Sequence, residues 1–166
     1  MSKLVTATTR VPREGEQEGV DHVFIANEEF RDLIQKGEVL EHVYFEERDV
    51  YYGTLRSKLE KQSEDSSGVL AEMQIIGARY LKKHYNALTI FIEPESLDIL
   101  EERIRSRSVL PEEEIAHRLE VAQHEMEHEA PEYDIRISNK QGKLQETVDE
   151  IIAILNTYNI SCETSQ

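Results

Sequence analysis

A short loop near the start of the sequence carries two arginines, Arg10 and Arg13, three residues apart. Pro12 lies between them and Gly15 follows, so the loop is stiff where it carries its charge and turns sharply afterwards. In a chain of formal net charge −15, two cations held together need an anion to bind. A guanidinium offers paired N–H donors that match the oxygens of a phosphate. The loop therefore predicts a phosphate clamp, and the alternative is a pair of solvated surface arginines.

A second group of cations lies in the later half of the chain. Arg103 and Arg107 are four residues apart and share one face of a predicted helix, with Arg105 between them and Arg118 further on. Such a face is destabilising unless anions lie beside it. The arginines therefore either bind an anionic ligand or form a salt-bridged helix surface with the neighbouring glutamates, which are Glu101, Glu102 and Glu112 to Glu114.

The run His124-Glu125-Met126-Glu127-His128 matches the H-E-x-x-H pattern of zinc proteases. On a helix this spacing puts two imidazoles on one face, with Glu125 as a potential base and Glu146 as a candidate third ligand. In a chain rich in histidine and glutamate a chance match is expected, and the two histidines would then face solvent. A zinc metalloprotease is accordingly the remote alternative.

Composition bounds the remaining possibilities. The chain has 166 residues, about the length of one domain, and its acidic balance argues against nucleic acid or an anionic membrane as a partner. Its one cysteine, Cys162, excludes a disulfide framework and suits a reducing cytosol. We find no signal-peptide pattern and no apolar run near the roughly 20 residues of a membrane helix, so we expect a cytoplasmic protein.

The elements that must position these groups alternate between strand-like and helix-like patterns. Strands are predicted over Leu4–Ala7, His22–Ile25, Val39–Phe45, Val69–Met73 and Leu88–Ile92, and around Ile135 and Ile137. Helices are predicted from Asn27 as N-cap to Gly37, from Thr54 or Ser57, and over Ala78–His84, Ser96–Ser106, Glu112–Glu129 and Lys143–Tyr158. Glu41 falls within an otherwise apolar strand, and alternation alone would allow it to face outward. The alternation predicts an α/β domain with a largely parallel sheet.

Several segments, in this order, resemble guanylate kinases. Residues 8–21 read T-T-R-V-P-R-E-G-E-Q-E-G-V-D, like the family's segment that binds the phosphate of GMP, and Tyr52-Gly53-Thr54 resembles its Y-G-[ST] segment. Residues 71–77 resemble a family strand that reads roughly D-I-D-x-Q-G. The resemblance covers about Leu4 to Tyr158 and implies a P-loop-kinase-type fold: a three-layer parallel sheet flanked by helices, a small GMP-binding mixed-β lobe and an ATP lid.

The resemblance also implies a reaction, ATP plus GMP to ADP plus GDP with Mg²⁺, and a role for each matching residue. The GMP phosphate would be held by Arg10, Arg13, Tyr52 and His22, where His22 stands in place of the family's usual tyrosine. Guanine would be recognised by Thr6, Glu41, Thr54 and Gln74. The catalytic group that stabilises the transferring phosphoryl group would be Arg103, Arg107 and Arg118.

Two features of the acidic residues bear on these roles. Guanine offers two adjacent N–H donors to an ionised carboxylate such as Glu41, whereas adenine places an acceptor at one of those positions. Glu72 keeps one family carboxylate, but Gln74 replaces a second with a neutral amide that adds no charge to a magnesium hydration shell. No residue identifiable in the sequence is expected to ligate Mg²⁺ directly.

The sequence contains no Gly-x-x-x-x-Gly-Lys-[Ser/Thr] run, which in the family follows an earlier strand and cradles the ATP phosphates. We therefore expect GMP binding but very slow turnover by this polypeptide alone, because positioning contributes roughly 7–11 kcal/mol to such reactions. Three explanations are open: an N-terminally truncated or mis-started product, a second polypeptide that supplies the first strand, or a non-catalytic guanylate-kinase-like binding module.

The predicted domain organisation follows the same resemblance. Residues 1–158 form a guanylate kinase-like domain, with the GMP-binding lobe at about 8–68 and the lid at about 104–114, and residues 159–166 form a polar tail. The expected partners are GMP, ATP if a phosphate loop is supplied, and a partner protein or second fragment. Neither nucleic acid nor a membrane is expected to bind.

Overall fold

Alternating strands and helices make up the part of the chain that the computed structural model describes, residues 1–158 and residue 160. They form two units, Met1–Ala87 and Leu88–Tyr158. The predicted polar tail at 159–166, with Cys162, lies outside the described residues except for Ile160.

The first unit contains six strands and three helices among its described residues. In chain order they are β1 (Ser2–Lys3), β2 (Thr6–Thr8), β3 (His22–Phe24), α1 (Asn27–Gln35), β4 (Val39–Phe45), β5 (Val50–Leu55), α2 (Arg56–Asp65), β6 (Val69–Leu70) and α3 (Ile75–Tyr85). A short 3₁₀ turn at Glu46–Arg48 connects β4 to β5. The predicted strand Val39–Phe45 is confirmed, whereas α2 begins at Arg56 and Thr54 belongs to β5.

A four-stranded mixed sheet, in the order β3-β2-β5-β4, carries most of the first unit's predicted site residues. β2 pairs parallel to β3 and antiparallel to β5, and β5 pairs antiparallel to β4. A register shift between Val39 and Glu41 brings Glu41 opposite Thr54. A separate parallel pair joins β1 to β6. One buried cluster contains Leu4, Leu40, Leu59 and Leu81, and a second contains Ala7, Phe30 and Leu55.

The start of α1 differs from the sequence prediction. Asn27 is the first helical residue, Ala26 occupies the N-cap position, and no side chain caps the helix. The Asn27 amide instead donates to the backbone oxygen of Asp49 at 3.1 Å and to its carboxylate at 2.8 Å. The side chain that was predicted to cap α1 therefore ties it to the turn between β4 and β5.

The end of α1 agrees with the prediction at Gly37. This residue has a φ of +70°, a conformation that glycine adopts without strain. Its N–H donates to Ile34 O at 3.0 Å, and the N–H of Glu38 donates to Leu33 O at 2.9 Å. These two bonds form a Schellman motif, which ends the helix and starts β4.

The second unit contains β7 (Ile90–Pro94), α4 (Leu97–Arg107), α5 (Glu112–His124), β8 (Ile135–Asn139) and α6 (Leu144–Thr157). β7 and β8 pair in parallel, and Ile137 of β8 is buried. Ser96 caps α4 by accepting from the N–H of Ile99 at 3.2 Å. The helix predicted over Glu112–Glu129 is α-helical only to His124 and continues as a π-helical turn at Glu125–Glu129.

Parallel pairing therefore occurs in both units, while the β2-β5-β4 portion of the first unit is antiparallel. This is an α/β fold with a mixed-β lobe, as the alternation of elements predicted. No helix in the described part of the chain is both long and apolar enough to cross a membrane.

Candidate functional site

A pocket of about 690 Å³ in the first unit collects the residues predicted there. Thr6, Arg10, Arg13, His22, Glu41, Tyr52 and Gln74 all line it, and Glu72 lies on its wall as well. The structure therefore brings the two arginines of the predicted clamp and the carboxylate of Glu41 into one cavity. Thr54 does not line the pocket but contacts a residue that does.

Arg10 is held by groups of the chain itself. Its Nε donates to the Tyr52 hydroxyl at 2.9 Å, and its two terminal nitrogens donate to the Glu16 carboxylate at 2.6 and 2.7 Å. This paired geometry is the strong form of an arginine–carboxylate interaction. The hydrogen bonds that Arg10 donates to Glu16 are the main cause that raises the pKa of Arg10 above its already high ordinary value. Arg10 also lies 5.5 Å from the centre of the Phe24 ring, within cation–π distance.

Glu16 is the functional residue whose contacts the sequence reasoning missed. Its carboxylate accepts from Arg10 and also from the backbone N–H of Arg13 at 2.7 Å. The bond from Arg10 is the main reason that the pKa of Glu16 falls to about 2, and the bond from the Arg13 backbone adds to it. The sequence shows only that a glutamate follows a glycine in this loop. The structure adds that Gly15 has a φ of +87°, which turns the loop back so that Glu16 reaches Arg10.

Arg13 differs from Arg10. Its side chain is exposed and lines the pocket, and within the described residues its guanidinium has no hydrogen-bond partner. The clamp therefore consists of one arginine fixed by Glu16 and Tyr52 and one that remains available to an added anion.

The residues before Arg10 anchor the clamp to β5. The hydroxyl of Thr8, which is fully buried, donates to Tyr51 O at 2.9 Å. The backbone N–H of Tyr51 donates to the Thr9 hydroxyl at 2.9 Å, and the N–H of Thr9 donates to Tyr51 O at 3.1 Å. These bonds position the first residue of the clamp without using any group that faces the pocket.

His22 lies beside the clamp on β3. Its Nδ1 is 2.9 Å from the hydroxyl of Thr6, and its ring meets the Tyr52 ring edge-on with centroids 5.9 Å apart. Burial is the main cause that lowers the pKa of His22 below its usual 6.5, and the positive charge of Arg10 lowers it further. At neutral pH the imidazole is therefore mostly uncharged.

Glu41 faces the same pocket from β4 instead of facing outward. Its Oε1 accepts from the hydroxyl of Thr54 at 2.6 Å, and Thr54 is fully buried. A Cβ at Gly53 would lie 2.6 Å from the Glu41 backbone oxygen, and a Cβ at Gly77 would lie 3.1 Å from Glu41 Oε2. Gly77 therefore leaves room for this carboxylate, and Gly53 leaves room for the backbone of Glu41.

A second pocket, of about 630 Å³, lies in the second unit and is lined by Arg103, Arg107, Arg118 and Lys140. Arg103 donates to Gln141 Oε1 and to Asn139 O, both at 2.9 Å, and Arg118 donates to Glu114 Oε1 at 2.8 Å. The three predicted catalytic arginines thus share one cavity within this unit.

The alternative interpretation, a salt-bridged helix surface, applies to Arg105, which lies between Arg103 and Arg107 in the sequence. Arg105 contacts Glu101 at 2.8 Å and Glu112 at 2.6 Å, and it does not line the pocket. The sequence offered two interpretations of the whole group: Arg105 fits the salt-bridged surface, Arg103 and Arg107 line the pocket, and Arg118 both lines the pocket and pairs with Glu114.

The H-E-x-x-H run gains no support as a metal site. The rings of His124 and His128 are 4.7 Å apart, but no three His, Cys, Asp or Glu side chains among the described residues could hold a metal ion. Glu146, the candidate third ligand, is exposed and forms an ion pair with Lys143. Glu125 is half-buried, and this burial raises its pKa.

The α/β fold, with its mixed-β lobe and paired parallel strands, defines the P-loop-kinase type of architecture. A family model described as guanylate kinase matches residues 1–158. The chain belongs to the guanylate kinase family.

Three comparisons illustrate the relationship. The chain is 38% identical over 152 residues to a guanylate kinase of Rickettsia conorii, covering 91% of this chain and 64% of that one. It is 43% identical over 136 residues to a guanylate kinase of Thermosynechococcus vestitus, covering 81% of this chain and 70% of that one. The crystal structure of guanylate kinase from Anaplasma phagocytophilum superposes with a TM-score of 0.73 at 31% identity, covering 96% of this chain and 76% of that chain. The chain thus spans about two thirds of the length of these two curated relatives.

Proposed function

We propose that the pocket of the first unit binds GMP, with the phosphate at the clamp and the guanine at Glu41. The observation that carries this proposal is the presence, in one cavity, of an arginine pair at residues 10 and 13 and a carboxylate oriented by Thr54. A purine monophosphate has a dianion at one end and a hydrogen-bonding edge at the other, and the pocket offers complementary groups for each.

At the phosphate end, the proposed ligands are Arg10, Arg13, Tyr52 and His22. The formal charges of Arg10, Arg13 and Glu16 sum to +1, so the clamp keeps a net positive charge even with Glu16 in place. Glu16 fixes the guanidinium plane of Arg10 before any ligand arrives, and this lowers the entropy lost on binding. The exposed guanidinium of Arg13 supplies donors that need not be displaced from another partner.

At the base end, Glu41 accepts the two adjacent N–H groups of guanine. The hydroxyl of Thr54 holds Oε1, and Thr6 and Gln74 are the proposed additional contacts to the base. Adenine would put an acceptor against this carboxylate, which leaves a desolvated charge unpaired and costs several kcal/mol.

The proposed reaction is transfer of a phosphoryl group from ATP to the GMP phosphate. Arg103, Arg107 and Arg118 would neutralise the charge of the transferring group, because phosphoryl transfer depends mainly on positioning and electrostatic stabilisation. Mg²⁺ would be held by nucleotide phosphates and water, since the described residues offer no set of three acidic or histidine ligands. When bound, it would shield the phosphate charges.

The second candidate is a guanylate-kinase-like binding module that binds GMP without turnover. The neutral Gln74 at the pocket wall, in place of a family carboxylate, favours it.

Isothermal titration calorimetry with GMP, IMP and AMP tests the binding proposal. IMP keeps one of the two N–H donors and AMP presents an acceptor there, so the expected order of affinity is GMP, then IMP, then AMP. A coupled assay of GDP formation with ATP and Mg²⁺, run on the chain alone and with an added segment that carries a glycine-rich phosphate loop, then separates the two candidates. Turnover restored by the segment supports the kinase, and GMP binding without restored turnover supports the binding module. Absence of GMP binding at millimolar ligand would contradict both.

A further inference from the structure

The two ring nitrogens of His22 have different surroundings. Nδ1 is 2.9 Å from the hydroxyl of Thr6, whereas in the described part of the chain no hydrogen bond involves Nε2. Ring contacts with Tyr52 and Phe24, at centroid distances of 5.9 and 5.7 Å, restrict how the imidazole can turn. Since His22 lines the pocket, Nε2 is the ring nitrogen available to a ligand.

The environment of the ring disfavours a proton in the absence of a ligand. Burial is the largest contribution, followed by the positive charge of Arg10, while Glu16 acts in the opposite direction and Lys3 again lowers the pKa. The other titratable groups that line this pocket are Lys3, Arg10, Arg13, Glu16, Asp21, Glu41, Arg48, Tyr52 and Glu72. Because Glu16 is already paired with Arg10, it is a weak source of negative charge for the imidazole.

We propose that His22 takes up a proton when GMP binds, so that the contribution of this residue to GMP affinity grows as the pH falls. This inference rests on the proposed function, because it requires the GMP phosphate at the clamp. A phosphate brings up to two negative charges next to the ring, and a nearby opposite charge favours the protonated imidazole. The imidazolium carries an N–H on both nitrogens, so it donates to the phosphate from Nε2 while Nδ1 donates to Thr6.

The sign of the pH dependence follows from the two protonation states. His22 begins with a pKa below 6.5 and acquires a higher pKa in the complex. The contribution of His22 to GMP affinity is therefore smallest above its pKa in the complex and greatest below its pKa in the free protein, with up to about tenfold gained per pKa unit. The tyrosine expected here by family resemblance has an ordinary pKa of about 10 and would stay neutral over the same range.

The phosphate of GMP also titrates, with a second pKa of about 6, but its effect has the opposite sign. A cationic clamp favours the dianion, so GMP binding causes the phosphate to release protons. Variants at His22 separate the two contributions, since the phosphate contribution remains when the imidazole is removed.

Calorimetry at pH 6.5 in two phosphate-free buffers of different ionisation enthalpy measures the protons exchanged per GMP. The parent chain is expected to take up a measurable fraction of a proton more than His22→Gln, at most about half a proton for a pKa rise of about one unit. His84→Gln, an exposed histidine on α3, is the matched control and should equal the parent. His22→Tyr should bind GMP at pH 8 and lack the additional uptake.

An NMR titration of the parent chain needs no variant for its readout, so it remains decisive if His22→Gln fails to fold. The Cε1–H signal of His22 should titrate below pH 6.5 without GMP and about one unit higher with it. Equal midpoints, or equal proton uptake by the parent and His22→Gln, would overturn the inference while GMP binding stands. Failure of the parent to bind GMP would instead overturn the proposed function and this inference with it.

Discussion

Two arginines, one from each unit, are held in different ways. Arg10 has only 12% of its side chain exposed and donates to Tyr52, to Glu16 and to the backbone oxygen of Val11. Arg118 is 48% exposed and, among the described residues, forms an ion pair with one glutamate four residues away on its own helix. Arg10 is thus a fixed donor, whereas Arg118 is an adjustable cation.

The difference matters because an arginine side chain loses roughly 1.5–2 kcal/mol of rotamer entropy when it is fixed. For Arg10 this loss occurs on folding, so it does not weaken ligand binding. For Arg118 it would occur only when an anion arrives. A fixed guanidinium suits the capture of a ground-state phosphate, whereas an adjustable one suits a charge that develops during transfer.

The largest expected effect comes from removing the fixed donor. Arg10→Ala should lower GMP affinity by about 100-fold, because hydrogen bonds to charged groups contribute about 1.5–3 kcal/mol each. Calorimetry measures the loss. Arg105→Ala is the matched control, since Arg105 is salt-bridged and lies outside both pockets, and its affinity should stay within twofold of the parent. If Arg10→Ala bound GMP within threefold of the parent, Arg10 would not be the fixed donor that holds the GMP phosphate.

An intermediate effect is expected from Glu16→Gln, which keeps the shape of the side chain but removes its charge. If Glu16 orients Arg10, GMP affinity should fall by about three- to tenfold. A rise in affinity would mean that the Glu16 carboxylate competes with the GMP phosphate for Arg10. Glu16 would then neutralise Arg10 and would not orient it for the ligand. Calorimetry with GMP decides between the two.

Glu16 also makes a testable contribution to acid stability. Its folded-state pKa of about 2 lies below the ordinary value of 4.5, so the stabilisation is complete above about pH 4.5 and is lost as the pH falls towards 2. Urea unfolding of the parent and Glu16→Gln at pH 7, 4 and 3 should give free energies of unfolding that converge as the pH falls. If the free energies of unfolding of the two proteins differed by the same amount at all three pH values, the ion pair of Glu16 with Arg10 would not be the cause of the pH dependence.

The smallest effect on binding is expected in the second unit. Arg103→Ala and Arg118→Ala should change GMP affinity by less than twofold, because both arginines belong to the other pocket. Calorimetry with GMP alone, in the absence of ATP, is the measurement. A tenfold loss in either variant would show that these arginines contribute to the ground-state phosphate site, and the proposed division of roles would be wrong.

Sequence patterns predicted the elements best where local chemistry decides them. The strand Val39–Phe45 and the helix end at Gly37 are both confirmed, because an apolar run and a glycine with positive φ require little from the rest of the fold. Asn27 was predicted wrongly, because its amide finds a better partner in Asp49, a residue 22 positions away.

The candidate site shows the same division. The arginines could be selected from type and spacing and Glu41 from the family resemblance, and the structure places them in two pockets. The pairing of Arg10 with Glu16 could not be selected, because it depends on the path of the loop through Gly15. The contact of the buried Thr54 with Glu41 could not be predicted from the sequence either, because it depends on a register shift between β4 and β5.

The most direct test of this account is the preference for guanine over adenine in a Glu41→Gln variant. The glutamine keeps an acceptor near Thr54 but replaces the second carboxylate oxygen with a donor, which opposes an N–H group of guanine. The parent is expected to bind GMP at least about 100-fold more tightly than AMP, and the variant less than about tenfold more tightly. An unchanged ratio in Glu41→Gln, with both nucleotides still bound, would contradict the assignment of Glu41 as the group that recognises the base.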